Sequence, residues 1–401
     1  MRTASACLAV ALAAAALTGT GTASADPIVA GSQVPDQDPF YAAPADIGTY
    51  APGTPIATRP VALTMPGLTD TDAWQISYRT NDSHGAPELA VTTLAVPKTP
   101  WTGSGPRPVI SLQLAEDATG TQCAPSYLLA KGALQDAPTA VLAPPMINKG
   151  YAVAFPDFEG PKSVYMAGPQ AGHAVLDGIR AVKRVKAAGI GEGNPWGLDG
   201  YSGGAEATGW AAQLQPSYAP EVKLAGAAIG GTPADPGIVG RSLDGGPFSG
   251  FEIGSEYGLM TEFPEARIDT LLNADGKAAM KAAAGKCTND LLLGFAFKKM
   301  SDYVTVPDFS SVPSVAAMLK RNTLGAAAPL APVYDYHTIA DEIVPVGQDD
   351  TLVKAWCAGG TSVQSVRDPL GGHVTEALTR SGDALTYLSD RFAHKPAPTT
   401  C

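Results

Sequence analysis

Trp196-Gly197-Leu198-Asp199-Gly200-Tyr201-Ser202-Gly203-Gly204-Ala205-Glu206-Ala207 decides the fold. An extended run over 196–199 leads into a G-x-S-x-G pentapeptide, and helix-forming residues follow over 205–212. A serine set between strand and helix in this way is a nucleophile elbow. The serine takes a strained backbone conformation that exposes its hydroxyl, and small flanking residues are needed because strand and helix approach too closely for side chains. Gly200, Gly203 and Gly204 meet that need. Glycine makes up 44 of the 401 residues, so the pentapeptide gains meaning only through partners elsewhere in the chain.

A serine hydroxyl is a poor nucleophile near neutral pH and needs a histidine to take its proton and a carboxylate to fix the histidine tautomer. On this type of fold the chain order is serine, acid, histidine. Of the five histidines, His337, His373 and His394 follow Ser202. His337 sits in a strand-like run and reads as a core or supporting residue, and His394 lies in a polar tail. His373 follows the last strand in the glycine-rich Asp368-Pro369-Leu370-Gly371-Gly372-His373 and precedes a helix, where a base can reach the serine. The acid belongs just after the preceding strand, which offers Asp335, Asp341 and Glu342. Asp341 opens a turn toward the next helix, whereas Asp335 lies within the strand, so Ser202, Asp341 and His373 form the expected set. The oxyanion needs two donors: the backbone N–H of Gly203, after the nucleophile, and one from the loop after the third strand, here 114–119. That loop lacks the HGGG glycines of many esterases. The histidines are dispersed and no Cys/His pair has ligand spacing, so no metal site is expected. No phosphate-binding glycine loop is present either, and the chemistry reads as cofactor-free.

The rest of the chain fits the elbow. Strand-like runs at 76–79 and 89–96 flank a turn-prone 81–85, and buried-strand candidates follow at 108–114, 151–155, 224–229, 332–337 and 362–366. A helical region at 126–148 lies between two of them, and Val175, Ile179, Val182 and Val185 have helical spacing. Alternation of this kind builds a mostly parallel sheet with helices on both faces, an α/β-hydrolase fold. The alternation breaks between Ile229 and Pro332. That gap reads as loop-like over 230–250 and helical over 262–284 and 312–320, an inserted helical cap or lid. The expected division is an export signal at 1–25, a first core part at 26–230, the cap at 231–325 and a second core part at 326–401.

The export reading rests on Arg2, an apolar run over 7–17 and Ala23-Ser24-Ala25 before the cleavage point. The run is too short for a bilayer span of about 20 residues, so a secreted protein without an integral membrane segment is expected. Removing it leaves Cys123, Cys287, Cys357 and Cys401, an even number that suggests two disulfides in an oxidising compartment, with three pairings open. A net charge of −11 without basic clusters argues against nucleic acid and against simple attraction to anionic membranes. The expected partner is a small-molecule or lipid ester, met by a monomer at or near a lipid–water interface.

With these residues in view, the chain resembles the secretory lipase family through nearly all of the expected mature protein. The matching landmarks include Tyr78-Arg79-Thr80, Glu116-Asp117-Ala118-Thr119, Cys123-Ala124-Pro125-Ser126-Tyr127, Asp157-Phe158-Glu159-Gly160, Gly200-Tyr201-Ser202-Gly203-Gly204, Gly230-Gly231-Thr232-Pro233 and Asp341-Glu342-Ile343-Val344-Pro345. The resemblance implies Ser202, Asp341 and His373 as the triad, and Asp117 with Gly203 as the oxyanion hole. It also implies pairing of Cys123 with Cys287 and of Cys357 with Cys401. It places Tyr165 and Met166 beside the acyl tunnel. A yeast member of the family continues beyond the last disulfide into a flap over the site, whereas this chain stops at Cys401, which implies a more open entrance. The function implied is a triacylglycerol lipase or carboxylesterase. Acyl transfer to an alcohol, and peptidase action with Glu159 or Glu206 recognising an amine, are the alternatives on the same fold.

Overall fold

The computed structural model describes residues 29–133 and 137–401. The expected export signal at 1–25, with Cys7, lies outside the described residues, as do three positions of the 126–148 helical region. Among the described residues, nine strands form one sheet in the order β1-β2-β3-β5-β4-β6-β7-β8-β9. They are β1 Pro55–Val61, β2 Thr71–Asn81, β3 Pro87–Pro97, β4 Val109–Gln113, β5 Ala152–Pro156, β6 Trp196–Tyr201, β7 Leu224–Gly230, β8 Val333–Thr338 and β9 Val363–Asp368. β1, β2 and β3 pair antiparallel, β3 pairs antiparallel with β5, and from β5 to β9 every pairing is parallel. This is the α/β-hydrolase arrangement. β4, β5 and β6 are buried along their whole length, as short apolar strands covered on both faces must be.

Two apolar clusters occupy the two faces of the sheet. On one side, α3 (Gly168–Arg184), α4 (Gly203–Tyr218) and α11 (Val346–Ala358) bring Val175, Ile179, Trp210 and Trp356 against Leu198 and Ile229. On the other, α1 (Pro125–Lys131), α2 (Ala143–Asn148) and α12 (His373–Phe392) bring Leu128, Met146 and Leu388 against Ile110, Val153 and Tyr336. Alternate positions of β8 serve the two faces: Val333 joins the first cluster, Tyr334 and Tyr336 the second.

Six helices lie between β7 and β8: α5 (Pro236–Leu243), α6 (Ser249–Glu262), α7 (Ile268–Leu271), α8 (Ala274–Ala283), α9 (Thr288–Phe295) and α10 (Pro313–Arg321). They bury a third cluster of their own, which includes Ile253, Leu259, Leu291 and Val315 and takes in Val164, Tyr165 and Met166 from the core. The loop-like reading of 230–250 is corrected here. α5 forms because Pro236 occupies its first turn and the Asp235 carboxylate accepts the Ile238 N–H at 2.9 Å. The span 262–284 is also not one helix: α6 ends at Glu262, and α8 starts anew where Asn273 caps Gly276 N–H at 2.9 Å. β1 escaped the sequence reading because Pro55, Pro60 and its half-exposed side chains mark an edge strand rather than an apolar run.

The disulfides join Cys123 to Cys287 and Cys357 to Cys401, the pairing implied by the resemblance. Cys123–Cys287 ties the segment after β4 to the start of α9. Around it the Thr119 N–H donates to Lys286 O at 2.9 Å and the Gly285 N–H to Thr119 O at 3.0 Å. A link across 164 residues restricts the unfolded chain by about 5 kcal/mol on a loop-entropy account. Replacing Cys123 and Cys287 together by serine is expected to lower Tm by about 5–10 °C, read by calorimetry. An unchanged Tm would show that the Thr119 hydrogen bonds suffice.

Candidate active site

Ser202 directly follows β6 and precedes the first turn of α4 with φ 58° and ψ −126°, a conformation L-residues rarely adopt. The glycines around it show why the chain tolerates this. A Cβ on Gly200 would lie 2.2 Å from Gly204 O, and one on Gly204 would lie 2.0 Å from Gln113 O. The backbones of β4, β6 and α4 are in contact there, and a side chain at either position would force them apart.

His373 is the first residue of α12. Its backbone is held at both ends: its N–H donates to Glu342 Oε2 at 2.9 Å, and its carbonyl accepts the Tyr201 hydroxyl at 2.6 Å. The ring then spans the site. Nδ1 lies 2.7 Å from Asp341 Oδ2 and Nε2 lies 2.8 Å from Ser202 Oγ. A carboxylate at Nδ1 fixes the proton there and leaves the Nε2 lone pair facing the serine hydroxyl. Asp341 sits in the turn after β8, and its other oxygen accepts Ile343 N–H at 2.9 Å and Val344 N–H at 2.7 Å. Burial alone would raise its pKa, but hydrogen bonds from His337 and His373 hold the carboxyl well below the usual range.

The structure therefore brings Ser202, His373 and Asp341 together and leaves the other candidates apart. Asp335 is buried in β8, bound to Arg367 Nη1 at 2.7 Å and to Ser365 Oγ at 2.8 Å. Glu342 orients the His373 backbone rather than its ring. His394 is exposed in the C-terminal tail. His337 is fully buried, with Nε2 3.2 Å from Asp341 Oδ2.

Asp117 stands against Gly203, where an added Cβ would lie 1.9 Å from Asp117 Oδ1. Its φ of 44° is a left-handed conformation for a non-glycine residue. In the same loop Ala115 donates to Thr139 Oγ1 at 3.0 Å, Ala118 to Glu159 Oε1 at 3.3 Å and Thr119 to Lys286 O, whereas the Glu116 N–H, like that of Asp117, has no acceptor among the described residues. Thr288 from α9 donates to the carbonyl oxygens of Glu116 and Asp117 at 3.0 and 3.3 Å, which holds the loop from the outer side. No spacing rule could have found this residue, since it lies 171 positions away from Asp117 in the chain.

Acidic groups crowd behind the loop. Burial pushes Asp117 and Asp157 up to about 7, and burial with the nearby Asp117 pushes Glu206 up to about 8. Glu116 and Glu159 are also raised well above the usual carboxyl range by burial and by their acidic neighbours. Glu159 and Glu206, which would have to be anionic to recognise a substrate amine, are buried groups that favour the neutral form.

Ser202 opens on a small cavity of about 30 Å³ walled by Tyr165, Met166, Val239, Leu243, Ile343 and Val344. Tyr165 and Met166 thus line the same cavity as the serine. Ile343 and Val344 line it too, and the quoted Asp341-to-Pro345 landmark already contained them. A larger groove of about 330 Å³ beside Asp38, Tyr41 and Ala90 touches neither Ser202 nor His373 and has no part in this site. Asp82, His84 and Glu262 bring possible ligand atoms within 4.8 Å of one another. Asp82 already accepts His84 and Ala86 N–H, and Glu262 accepts Ser83 N–H, so this cluster is explained as a turn docked on α6.

The secretory lipase profile matches residues 130–400. The chain belongs to the secretory lipase family. It is 35% identical to lipase A of Moesziomyces aphidis over 375 residues, covering 89% of this chain and 80% of that one. Its structure matches that of Candida antarctica lipase A with a TM-score of 0.87 at 32% identity, over 93% of this chain and 89% of the other. A protein of Mycobacterium tuberculosis described as a probable inactive lipase is 34% identical over 374 residues, covering 90% of this chain and 83% of that one. The lipase is thus an ester hydrolase by family. The family and the two disulfides fit an extracellular protein. Among the described residues no helix is long and apolar enough to cross a membrane.

The raised carboxyls link stability to pH. Asp117, Asp157 and Glu206 bind protons in the folded state up to about 7–8, whereas unfolded they release them near their ordinary values of about 4. Over that window the folded lipase holds more protons, so its stability falls as pH rises. Asp341 acts oppositely, but only below its ordinary value. Tm is expected to be highest near pH 5 and lower by about 5 °C or more at pH 8.5. Calorimetry in matched ionic strength checks this, and a Tm that rises across the range contradicts the burial argument.

Proposed function

We propose that the lipase cleaves carboxylic esters by two-step acyl transfer with Ser202 as nucleophile, His373 as base and Asp341 as its orienting acid. The observation that supports this reading is the continuous pair of contacts through one imidazole, 2.8 Å to Ser202 Oγ and 2.7 Å to Asp341 Oδ2. His373 takes the Ser202 proton as Oγ bonds to the ester carbonyl carbon. The carbonyl oxygen becomes an oxyanion, held by the N–H groups of Gly203 and Asp117. His373 then protonates the leaving alcohol as the C–O bond breaks. Water, deprotonated by His373, attacks the acyl carbon; as the acyl–Oγ bond breaks, His373 returns the proton to Ser202 and the acid leaves. The free Asp117 N–H and the first-turn position of Gly203 favour these two donors.

The apolar wall of Tyr165, Met166, Val239, Leu243, Ile343 and Val344 favours the acyl chain of a lipid ester on that side. The helices between β7 and β8 supply Val239 and Leu243, so residues 231–325 act as a cap on this reading. The cavity is small, about 30 Å³, and on this reading a long acyl chain requires the cap to shift. We assign export to residues 1–25 and take the working form to be a monomer.

Ser202→Ala is expected to abolish ester hydrolysis while leaving Tm within a few degrees. Asp341→Asn is expected to lower kcat by about 10⁴. Substantial ester turnover by Ser202→Ala, or a greater loss in Asp335→Asn than in Asp341→Asn, would overturn the assignment. On p-nitrophenyl esters, kcat/KM is expected to rise from acetate toward medium chains by up to about fourfold per methylene, following about 0.8 kcal/mol per buried CH₂. A maximum at acetate would rule out the apolar wall as an acyl site.

A further inference from the structure

His337 has no part in the steps above, yet its ring is fully buried and fully engaged. Nε2 lies 2.9 Å from the Val344 carbonyl oxygen and 3.2 Å from Asp341 Oδ2, and Nδ1 lies 3.1 Å from Asp349 Oδ2. A carbonyl can only accept, and an ionised carboxylate can only accept, so both ring nitrogens must carry hydrogen. The same Asp349 oxygen accepts from Arg367 Nη2 at 3.0 Å, so it faces His337 Nδ1 as an acceptor. Burial works against the charged ring, but the hydrogen bonds to Asp341 and Asp349 outweigh it and raise His337 to about 10. Asp341 Oδ2 is therefore shared between two imidazoles, His373 at 2.7 Å and His337 at 3.2 Å.

We propose that His337 is a positioning residue, a buried imidazolium that fixes Asp341 from behind and sets how far into acid the lipase stays active. This rests on the reading of Asp341 and His373 as acid and base. The imidazolium opposes a second positive charge on His373, and its charge 3.2 Å from Asp341 Oδ2 makes that carboxylate a weaker acceptor. Both effects favour the unprotonated His373 that the first step requires. The other charged groups around this ring do not replace it. Arg367 from β9 is engaged by Asp335 of β8 and by Asp349 and Asp350 of α11, Glu342 is taken by the His373 backbone, and burial favours the neutral form of Glu376 on α12. His337 is the cation in direct contact with Asp341.

The test is kcat/KM and kcat for a soluble p-nitrophenyl ester from pH 4 to 9 in wild type, His337→Gln, His337→Leu and Asp349→Asn, with competent serine counted by a fluorophosphonate. His337→Gln keeps an amide N–H but loses the charge. Its acid limb is expected to move up by about one pH unit, with a plateau loss under about tenfold. His337→Leu loses both, and its plateau is expected to fall a further tenfold or so through kcat, with KM within about twofold. Asp349→Asn removes the negative charge that favours the second proton on His337 and is expected to shift the limb upward with the histidine still present. If His337→Leu does not fold, the two isosteric variants still decide. Wild-type acid limbs in both, in protein that reacts fully with the fluorophosphonate, overturn the proposal, as does a loss in His337→Gln that is equal at every pH. Asp341→Asn separates this from the triad reading. If it is inactive and the limbs do not move, only the role of His337 fails, whereas if it stays active the triad fails first.

Discussion

The contact of three backbones at Gly200 and Gly204 is the constraint on which the site depends. β4, β6 and the first turn of α4 meet with no side chain between them, at separations that a single Cβ would violate by more than an ångström. The contact is locked by Thr208, whose hydroxyl is 2.7 Å from Gln113 Oε1 and 2.8 Å from Gly204 O. Ser202 has to turn within that clamp, so its strained φ and ψ are imposed by the sheet and helix rather than chosen by the serine. The neighbouring tip of β4 delivers the loop that carries Asp117 to Gly203. Ser202, Gly203 and Asp117 are thus brought together by one packing event.

A second theme is the handling of buried charge. The region holds Asp341, Asp335, Asp349, His337 and Arg367 within one connected set of hydrogen bonds, where each carboxylate has a cation or several N–H donors. Burying such groups unpaired would be costly, so each constrains its neighbour's geometry. Behind the oxyanion loop the solution is different. Glu116, Asp117, Glu159 and Glu206 face one another with few donors, and burial moves them toward the neutral form instead. One side of the active site is polarised by fixed charge, and the other is kept nearly free of it.

The inserted helices serve the site in two ways. Thr288 and the Cys123–Cys287 bridge hold the oxyanion loop from outside, and Val239 and Leu243 close the apolar wall from above. Gly258 allows α6 to pack directly on the Tyr165 backbone, where a Cβ would meet Tyr165 O at 2.4 Å. The segment bearing Tyr165 and Met166 is therefore gripped between core and insertion, so any movement of these helices reaches the serine.

Much of this was legible in the order of residues alone. The elbow, the serine–acid–histidine order and the parallel strands follow from local pattern: glycines at a crowded turn, apolar runs of strand length, and a base placed after the last strand. α5 was missed because capping by Asp235 and a proline in the first turn are weak signals inside a glycine-rich stretch. The choice among Asp335, Asp341 and Glu342 rested on position in a turn, and only the fold shows which carboxylate meets His373 Nδ1. Thr288 was beyond reach of any spacing rule, and His337, legible only as a core or supporting residue, shows its contacts with Asp341 and Asp349 only in the fold. What the sequence determined by itself was the chemistry available and the strand and helix pattern, because these depend on neighbours a few residues apart. What tertiary structure alone decided was which buried polar groups share hydrogens, because that depends on donors and acceptors brought together from strands and helices far apart in the chain.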